Sequence, residues 1–566
     1  MLPCALSSTW NASFSATQSD LMANDRLHRL RRLLSTVRHL RLVQITSRIS
    51  RQLLRPAIES GPPPPLRPQV QAAVEPADRL PFLTAADSFS MLGQTGLIAS
   101  AAAWNDPSRD KLWLYHCHYF EDLMARGRDG RRGWHEALIE RWVAENQPGA
   151  GNGWEAYPLS LRISHWVLWS RLGGILTETW RRSLTIQVRW LRRNIEWHVL
   201  GNHVIANAKA LVLAGCWASG DEGERWLHEG LDLLHGQIDD QILPDGGHIE
   251  RSPMYHCQVL NDLLDICNGL FSAGLNAPVW LTGAIGRMGS WLAVMRHPDG
   301  DIPQFNDCAF GMAPHPEALA EYAQRLGLGW PSSSPTTSVW LATSGYARIA
   351  GPDAVIFCDA APLGPDWQPG HGHADTLTWE ASLHGRRLVV DCGVSTYNTS
   401  ADRDRQRGTA AHNTLTIDGA DSSEVWGGFR VGRRARIFDV GIADDGKSFW
   451  ASHDGYRRIG ITHHRNWRLS GSGLNVLDRI TGHGAHSIAS GILLHPELEI
   501  VSQNGATLVV MHRMAHKTPY SITTDPCWGY CDATYHPTFG VTLPTRRLTQ
   551  RISGELPATF STSIQW

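Results

Sequence analysis

From about residue 85 to residue 341, apolar side chains recur three and four positions apart, in runs separated by short Gly- or Pro-bearing breaks. The spacing predicts amphipathic helices over Trp134–Glu145, Leu159–Leu172, Thr177–Leu200, His203–Ala218, Glu222–Ile238, Met254–Leu270 and Val279–Met295. Antiparallel helices in such succession form an array that closes as a toroid or stays an open arc. Near residue 340 the period falls to two. Thr343–Ile349, Ala354–Cys358, Thr376–Leu383, Arg387–Val390 and Asn413–Ile417 then read as short strands, and similar segments follow to the end of the chain. A β region of that length suits an antiparallel sandwich.

Ahead of the helical array, residues 25–54 read as a basic helical stretch, with Leu30, Leu33, Leu34, Val37, Leu40 and Val43 set among arginines. Such a helix lies either on a membrane surface or against the main body, and docking on the body is the simpler expectation. Gly61-Pro62-Pro63-Pro64-Pro65 breaks it. The chain therefore divides into an N-terminal extension (1–60), a Pro-rich linker (61–84), a toroid (85–340) and a β-sandwich (341–566). Residues 1–21 contain no continuous apolar stretch of the signal-peptide kind, and Met22 offers an alternative start. No apolar run is long enough to cross a membrane.

Composition narrows the function. A formal charge of −2, with 42% hydrophobic and 19% charged residues, gives no basic field for nucleic acid or an anionic bilayer. Arginine outnumbers lysine heavily, and its planar fork suits carboxylates and sulfates, although base composition explains the bias equally simply. The 24 tryptophans can stack sugar rings as well as fill a core. The ten cysteines follow no zinc-ribbon or disulfide spacing, so buried thiols are expected.

The chemistry concentrates in a few motifs. Gly370-His371-Gly372-His373-Ala374-Asp375 opens the β half, followed by Asp391 and by Ala411-His412-Asn413-Thr414. Two histidines and a carboxylate, here His373, Asp391 and His412, suit Zn²⁺ with an exchangeable fourth position. Structural hydrogen bonding is the simpler use of each alone. Tyr397 lies between them, and Arg403, Arg405 and Arg407 follow as groups that could lower a tyrosine pKa or hold an acidic sugar. In the helical half, Asn202 and His203 open a helix, where N–H groups and the helix dipole favour an anion. Glu250 and Arg251 precede Ser252-Pro253, which starts another helix carrying Tyr255 and His256 in its first turn. His297 to Asp307 forms a carboxylate-rich loop.

Lys111 to Phe120, Gly153 to Ser160, Gly201-Asn202-His203, Glu250 to His256, Gly372-His373-Ala374-Asp375 and Ala411-His412-Asn413-Thr414, in this order, resemble the heparinase II/III family of bacterial polysaccharide lyases. The resemblance implies an incomplete (α/α) toroid followed by an antiparallel β-sandwich, and β-elimination on a uronate polysaccharide. It also implies that Asn202 and His203 neutralise the uronate carboxylate, that Tyr255 with His371 and Tyr397 does acid/base work, and that His373, Asp391 and His412 hold a structural zinc. Glu250, Arg251, Arg405 and Arg407 are the candidate substrate contacts. An acidic polysaccharide is the expected partner, and the periplasm or cell envelope the expected setting, with the cytoplasm open because no leader is evident. Because residues two apart share a face of a strand, sending His371 to substrate and His373 to metal requires Gly370 and Gly372 to break the pleat. Two other readings stay open: a glycoside hydrolase using two of Glu250, Asp301 and Asp307, and a non-catalytic protein that binds acidic glycan.

Overall fold

The computed structural model describes residues 30–54, 56–331, 333–513, 519–524 and 528–566. Residues 25–29 of the basic helix, and the segment 1–21 considered as a leader, lie outside them. Two short helices come first, α1 (residues 30–37) and α2 (Leu42–Leu53). The proline-rich stretch that follows is not a free linker. Leu66 bridges to Ala218, Arg67 N donates to Trp217 O and Val70 N to Ser272 O, so the chain is laid along the helical body. Residues 83–97, expected to begin the helical region, instead form a three-stranded antiparallel sheet (Leu83–Ala85, Ser88–Met91, Gln94–Leu97). The reason is local: Leu92 and Gly93 both take positive φ, 54° and 68°, and make a tight reversal that a helix cannot contain.

The helical body contains α3 (Lys111–Tyr119), α4 (Arg132–Glu145), α5 (Ala156–Arg171), α6 (Glu178–Arg192), α7 (Asn202–Trp217), α8 (Gly220–Gln241), α9 (Pro253–Ser272), α10 (Val279–Val294) and α11 (Pro316–Arg325). Helices α4 to α10 match the periodicity to within a few residues, except that α6 stops at Arg192 where a helix was expected to reach Leu200; α3 and α11 were not among the expected runs. Leu200 has φ 67°, and the turn over residues 195–201 re-aims the chain into α7. Helix α7 is buried almost throughout, with α5, α8 and α9 packed around it. Helices wound antiparallel about such a buried member give the toroid the periodicity suggested. Trp104, Trp142, Trp166 and Trp226 here, and Trp379 and Trp467 in the β half, are fully buried, so much of the tryptophan content is core.

The β half stacks a five-stranded sheet (Val339–Leu341, Tyr346–Ala350, Ala354–Asp359, Trp379–Leu383, Arg386–Val389, in chain order) with an eight-stranded one, both antiparallel. Strand Ala354–Asp359 is buried at every position, the pattern of a strand covered on both faces. A four-stranded sheet pairs Ala485–Leu493 with Leu543–Glu555 on one side and Leu415–Ile417 on the other. Cys117, Cys216, Cys257, Cys267, Cys308, Cys358 and Cys392 are buried free thiols as expected, but Cys531 is exposed.

The polar loop from His297 to Asp307 joins the two halves. His297 takes Ser382 Oγ at 2.7 Å and Glu380 Oε2 at 2.9 Å, and Arg387 bridges Asp299 (2.7 Å) and Glu380 (3.2 Å). Its carboxylates are the polar mortar of the domain boundary.

Candidate active site

Two helix starts and one turn bring the candidate residues together. Leu200 and Gly201 both adopt positive φ and deliver Asn202 and His203 to the first turn of α7. A Cβ at Gly201 would lie 2.2 Å from Glu250 Oε1, so only glycine lets the helix start sit on that carboxylate. Glu250 accepts from Asn202 N (2.8 Å) and from Asn202 Nδ2 through both oxygens (3.1 and 3.0 Å). Burial disfavours its charge, yet His371, His248 and Asn202 together hold its pKa below the usual range.

At the start of α9, Ser252 caps the helix by accepting from Tyr255 N at 3.2 Å and donates its hydroxyl to Asp307 O at 2.6 Å. This fixes Tyr255 beneath the β half. Its hydroxyl lies 3.1 Å from that of Tyr397, and its ring centroid is 4.0 Å from His371. Burial pushes both phenols well above their usual pKa, with Asp307 adding to the rise and Arg403 opposing it without overcoming it. Neighbouring cations therefore do not bring the tyrosine pKa down as expected; at rest both are neutral proton donors.

The turn carrying the histidines is not a strand, so the pleat does not constrain it. Gly372 N donates to Pro369 O at 3.1 Å, and a Cβ at Gly372 would fall 2.3 Å from Leu363 O. His371 and His373 both reach Asp307, through Nδ1 to Oδ2 and Nε2 to Oδ1, each at 2.9 Å. Arg403 clasps the same carboxylate with both guanidinium nitrogens, one at 2.7 Å. Burial alone would raise the Asp307 pKa, but Arg403 and the two imidazoles hold it well below the carboxylate range. With Nδ1 engaged by an ionised carboxylate, His371 keeps Nε2 for its other side, where Glu250 Oε2 lies 3.7 Å away.

These groups line a cavity of about 510 Å³ between the two halves. Asn202, His203, Tyr255, His371 and Tyr397 are all on its wall, with Tyr115, Tyr119, Tyr157, Arg48 and Arg430. No Asp or Glu is among the described residues that line it. The His203 ring lies tilted against Tyr157 (centroids 4.4 Å apart) and bonds to Glu196 at 3.0 Å. Burial lowers its pKa, but Glu196 outweighs this and the net shift is upward.

The candidate substrate contacts other than these are placed elsewhere. Arg251 points to Thr343 O and Ser344 O, Arg407 is buried on Gly372 O, and Arg405 stands half-exposed beside Asp402 and His536. None lines the cavity, because each is taken by a backbone carbonyl or a local partner. Glu250 lies under the wall, on Asn202. The pair of carboxylates that hydrolysis needs is also missing: Glu250 and Asp307 are buried and engaged, and Asp301 lines a different cavity of about 470 Å³.

Behind Asp307 lies the candidate metal centre. His373, Asp375 and His412 each present a ligand atom within 4.8 Å of the others. His373 Nδ1, His412 Nε2 and Asp375 Oδ2 are buried and take no hydrogen bond, a cost that a cation would remove. Asp391, expected as the carboxylate of the set, is instead turned to His412 Nδ1 at 2.9 and 3.0 Å and also accepts from Thr378 Oγ1. A carboxylate behind a ligating imidazole fixes its tautomer and orientation. Two imidazoles and one carboxylate in a buried pocket, with a second carboxylate behind one imidazole, fit Zn²⁺.

Sequence reasoning missed the place of Asp307, which joins His371 of the cavity wall to His373 behind it, and that of α1 and α2, which supply part of the cavity wall. Asp307 sits in a loop that looks like a plain turn; the preceding Asn306, at φ 58°, is the backbone signal that it is more.

Comparison with known proteins agrees with this architecture. Residues 178–325 match the model named heparinase II/III N-terminus, and residues 333–561 the model named heparinase II/III-like, C-terminal. Among curated proteins, the chain is 26% identical over 365 residues to FtsZ-localized protein C of Caulobacter vibrioides, covering 62% of this chain and 61% of that one. It is 25% identical over 247 residues to a heparin-sulfate lyase of Bacteroides stercoris, covering 38% of this chain and 36% of the relative. The chain thus spans from about a third to three-fifths of the length of these relatives. A crystal structure of heparinase III superposes with a TM-score of 0.63 at 17% identity, over 84% of this chain and 79% of that one, and shares its fold of toroid and sandwich. The two matched segments cover most of the described toroid and sandwich, and the chain belongs to the heparinase II/III family.

Proposed function

We propose that the protein is a polysaccharide lyase that cleaves a uronate-containing glycan by β-elimination. The observation that carries this reading is the composition of the cavity wall: His203, His371 and two hydrogen-bonded tyrosines converge on a wall whose described lining residues include no Asp or Glu, with Glu250 and Glu196 set behind it on Asn202, His371 and His203. An anionic sugar is accommodated there without like-charge repulsion. Family membership and the lyases among the relatives support the same reaction class.

The proton to be removed lies α to the uronate carboxylate and becomes labile only when that charge is neutralised. His203, held cationic by Glu196 and placed at the start of α7, faces the carboxylate, with Asn202 beside it. His371 Nε2 takes the α-proton, its Nδ1–H held by Asp307. The electron pair forms the new double bond and the β carbon–oxygen bond breaks. Tyr255 gives its proton to the leaving oxygen, and the imidazolium of His371, 4.0 Å away ring to ring, returns a proton to the phenolate, with Tyr397 as the adjoining donor. No water is consumed. Incubating the protein with heparan sulfate, alginate and hyaluronan tests this: an ultraviolet band from an unsaturated uronyl end is expected, and its absence with every polymer, the protein being folded, overturns the reading.

The charge on His203 sets a pH limit. Its folded pKa is raised, so the cation persists above the usual imidazole value and is lost as pH rises through the raised pKa. Turnover should therefore fall on the alkaline side, mainly through KM. Glu196→Gln should move that limb to lower pH, which pH profiles of kcat/KM would show.

Zinc, when bound, would brace the fold by tying the histidine turn to His412, with His373 and His412 as imidazole ligands, Asp375 as the carboxylate and Asp391 holding His412 from behind. Because His373 shares Asp307 with His371, the brace reaches the catalytic imidazole through one carboxylate. His412→Ala should abolish zinc content by mass spectrometry and lower the Tm of the chelator-free protein. Equal zinc content in the variant and wild type would contradict this centre.

A further inference from the structure

Helices α1 and α2 are the least explained part of the cavity. Leu33, Thr36, Val37, Leu40, Gln44 and Arg48 belong to its wall together with Tyr255, Tyr397 and His371. This segment crosses from one half of the molecule to the other. Toward the helical body, Arg41 makes a two-pronged bond to Asp240 (2.6 and 2.8 Å), and Arg48 and Arg51 reach His198 O and Asn194 O, each at 3.3 Å. Toward the β half, Arg32 pairs with Glu424 at 3.0 Å and Thr36 donates to Val431 O at 3.1 Å. Gln44, only 2% exposed, stands at the crossing: its amide donates to Trp367 O (3.1 Å) and Val199 O (3.4 Å), one carbonyl from each half. The Arg41 guanidinium also lies 4.2 Å from the centre of the Trp367 ring.

A cleft between two bodies can admit a polymer only if the chain may leave at both ends. Here a helical strap spans the walls beside the reacting groups. The space left, about 510 Å³, is that of a small-ligand pocket and not of a groove for a long run of sugars. Part of the strap's contribution is apolar: Leu33 and Val37 are 45% and 42% exposed and offer a sulfated or carboxylated polymer no hydrogen bond, while Thr36 and Gln44 of the same wall already donate to backbone carbonyls.

We propose that α1 and α2 make this a chain-end site, admitting a terminal sugar unit or a short oligosaccharide and excluding internal stretches of polymer. The inference rests on the lyase reading above and adds its mode of attack. Arg41 and Gln44 are the latch residues, and neither touches the reacting groups.

The test compares viscosity with absorbance during digestion of heparan sulfate, alginate and hyaluronan, using whichever polymer yields the unsaturated chromophore. For the wild-type protein, absorbance should rise with little early loss of viscosity. Arg41→Glu, which sets a carboxylate against Asp240, should unlatch the strap and make viscosity fall several-fold faster per bond broken, with Gln44→Ala acting in the same direction should the first variant misfold. A steep initial viscosity loss in the wild type would overturn the proposal and leave the lyase reading standing. Should no polymer yield the chromophore, the lyase reading fails and binding decides the strap alone. Calorimetry with hexasaccharides and polymers of alginate and heparan sulfate should then give one protein per chain at every length. A stoichiometry that grows with chain length, or no binding at all, would overturn it.

Discussion

Tyr255→Phe will lower turnover by about 10²–10⁴-fold, the range for loss of a positioned proton donor, and leave glycan affinity close to that of the wild type. The substitution removes one hydroxyl, and nothing else in the fold depends on it: its hydrogen bond is to Tyr397, while the backbone of Tyr255 is fixed independently by Ser252. The ring stays against His371. Tyr397→Phe should cost less, since Tyr397 adjoins the donor and does not face the leaving oxygen in this account. Steady-state kinetics together with calorimetric binding checks both. A Tyr255→Phe variant that turns over at the wild-type rate would remove Tyr255 from the reaction.

Arg403→Ala will destabilise the protein by about 3–5 kcal/mol, the cost of leaving a buried charge without its partner. Arg403 and Asp307 are both fully buried, and the guanidinium is the principal group that holds Asp307 ionised against its burial. Without it, a carboxylate wedged between the two halves retains only His371 and His373. The loss should be read as a lower Tm, accompanied by a fall in kcat as His371 loses its anchor. Arg403→Lys keeps the charge but not the two-pronged geometry, and should recover part of the Tm. A Tm unchanged in Arg403→Ala would show that Asp307 is not the hub described here.

Most of the architecture was legible in the sequence because it depends on period. Seven helices and the opening strands of the β half follow from apolar spacing, and even their starts are marked, as at Ser252-Pro253. Asn202, His203 and Tyr255 of the cavity wall were legible as candidates through motifs at helix starts, where a polar residue with no packing role stands out. What escaped depends on long-range pairing. Arg251, Arg405 and Arg407 have the right chemistry for an acidic sugar, yet backbone carbonyls and local partners claim them, and no local pattern reveals which arginine is free. Asp307 is distant in sequence from His371, His373 and Arg403, all of which meet on it. The tyrosines were expected to be acidified by nearby cations; burial decides their pKa instead, and burial is a property of the assembled cavity. For the same reason the two histidines of the opening turn could be assigned different duties, but not the shared carboxylate that links those duties.

The central claim is that the cavity breaks a glycan by elimination, with His371 and Tyr255 moving the protons and no water added. Digestion of a uronate polymer in water enriched in heavy oxygen, followed by mass spectrometry of the fragments, tests it most directly. The account predicts that one new end of each broken bond is an unsaturated uronyl residue, lighter by one water than the hydrolytic product, and that neither end carries the heavy oxygen. Fragments that are saturated and labelled at the new reducing end would show hydrolysis and contradict it.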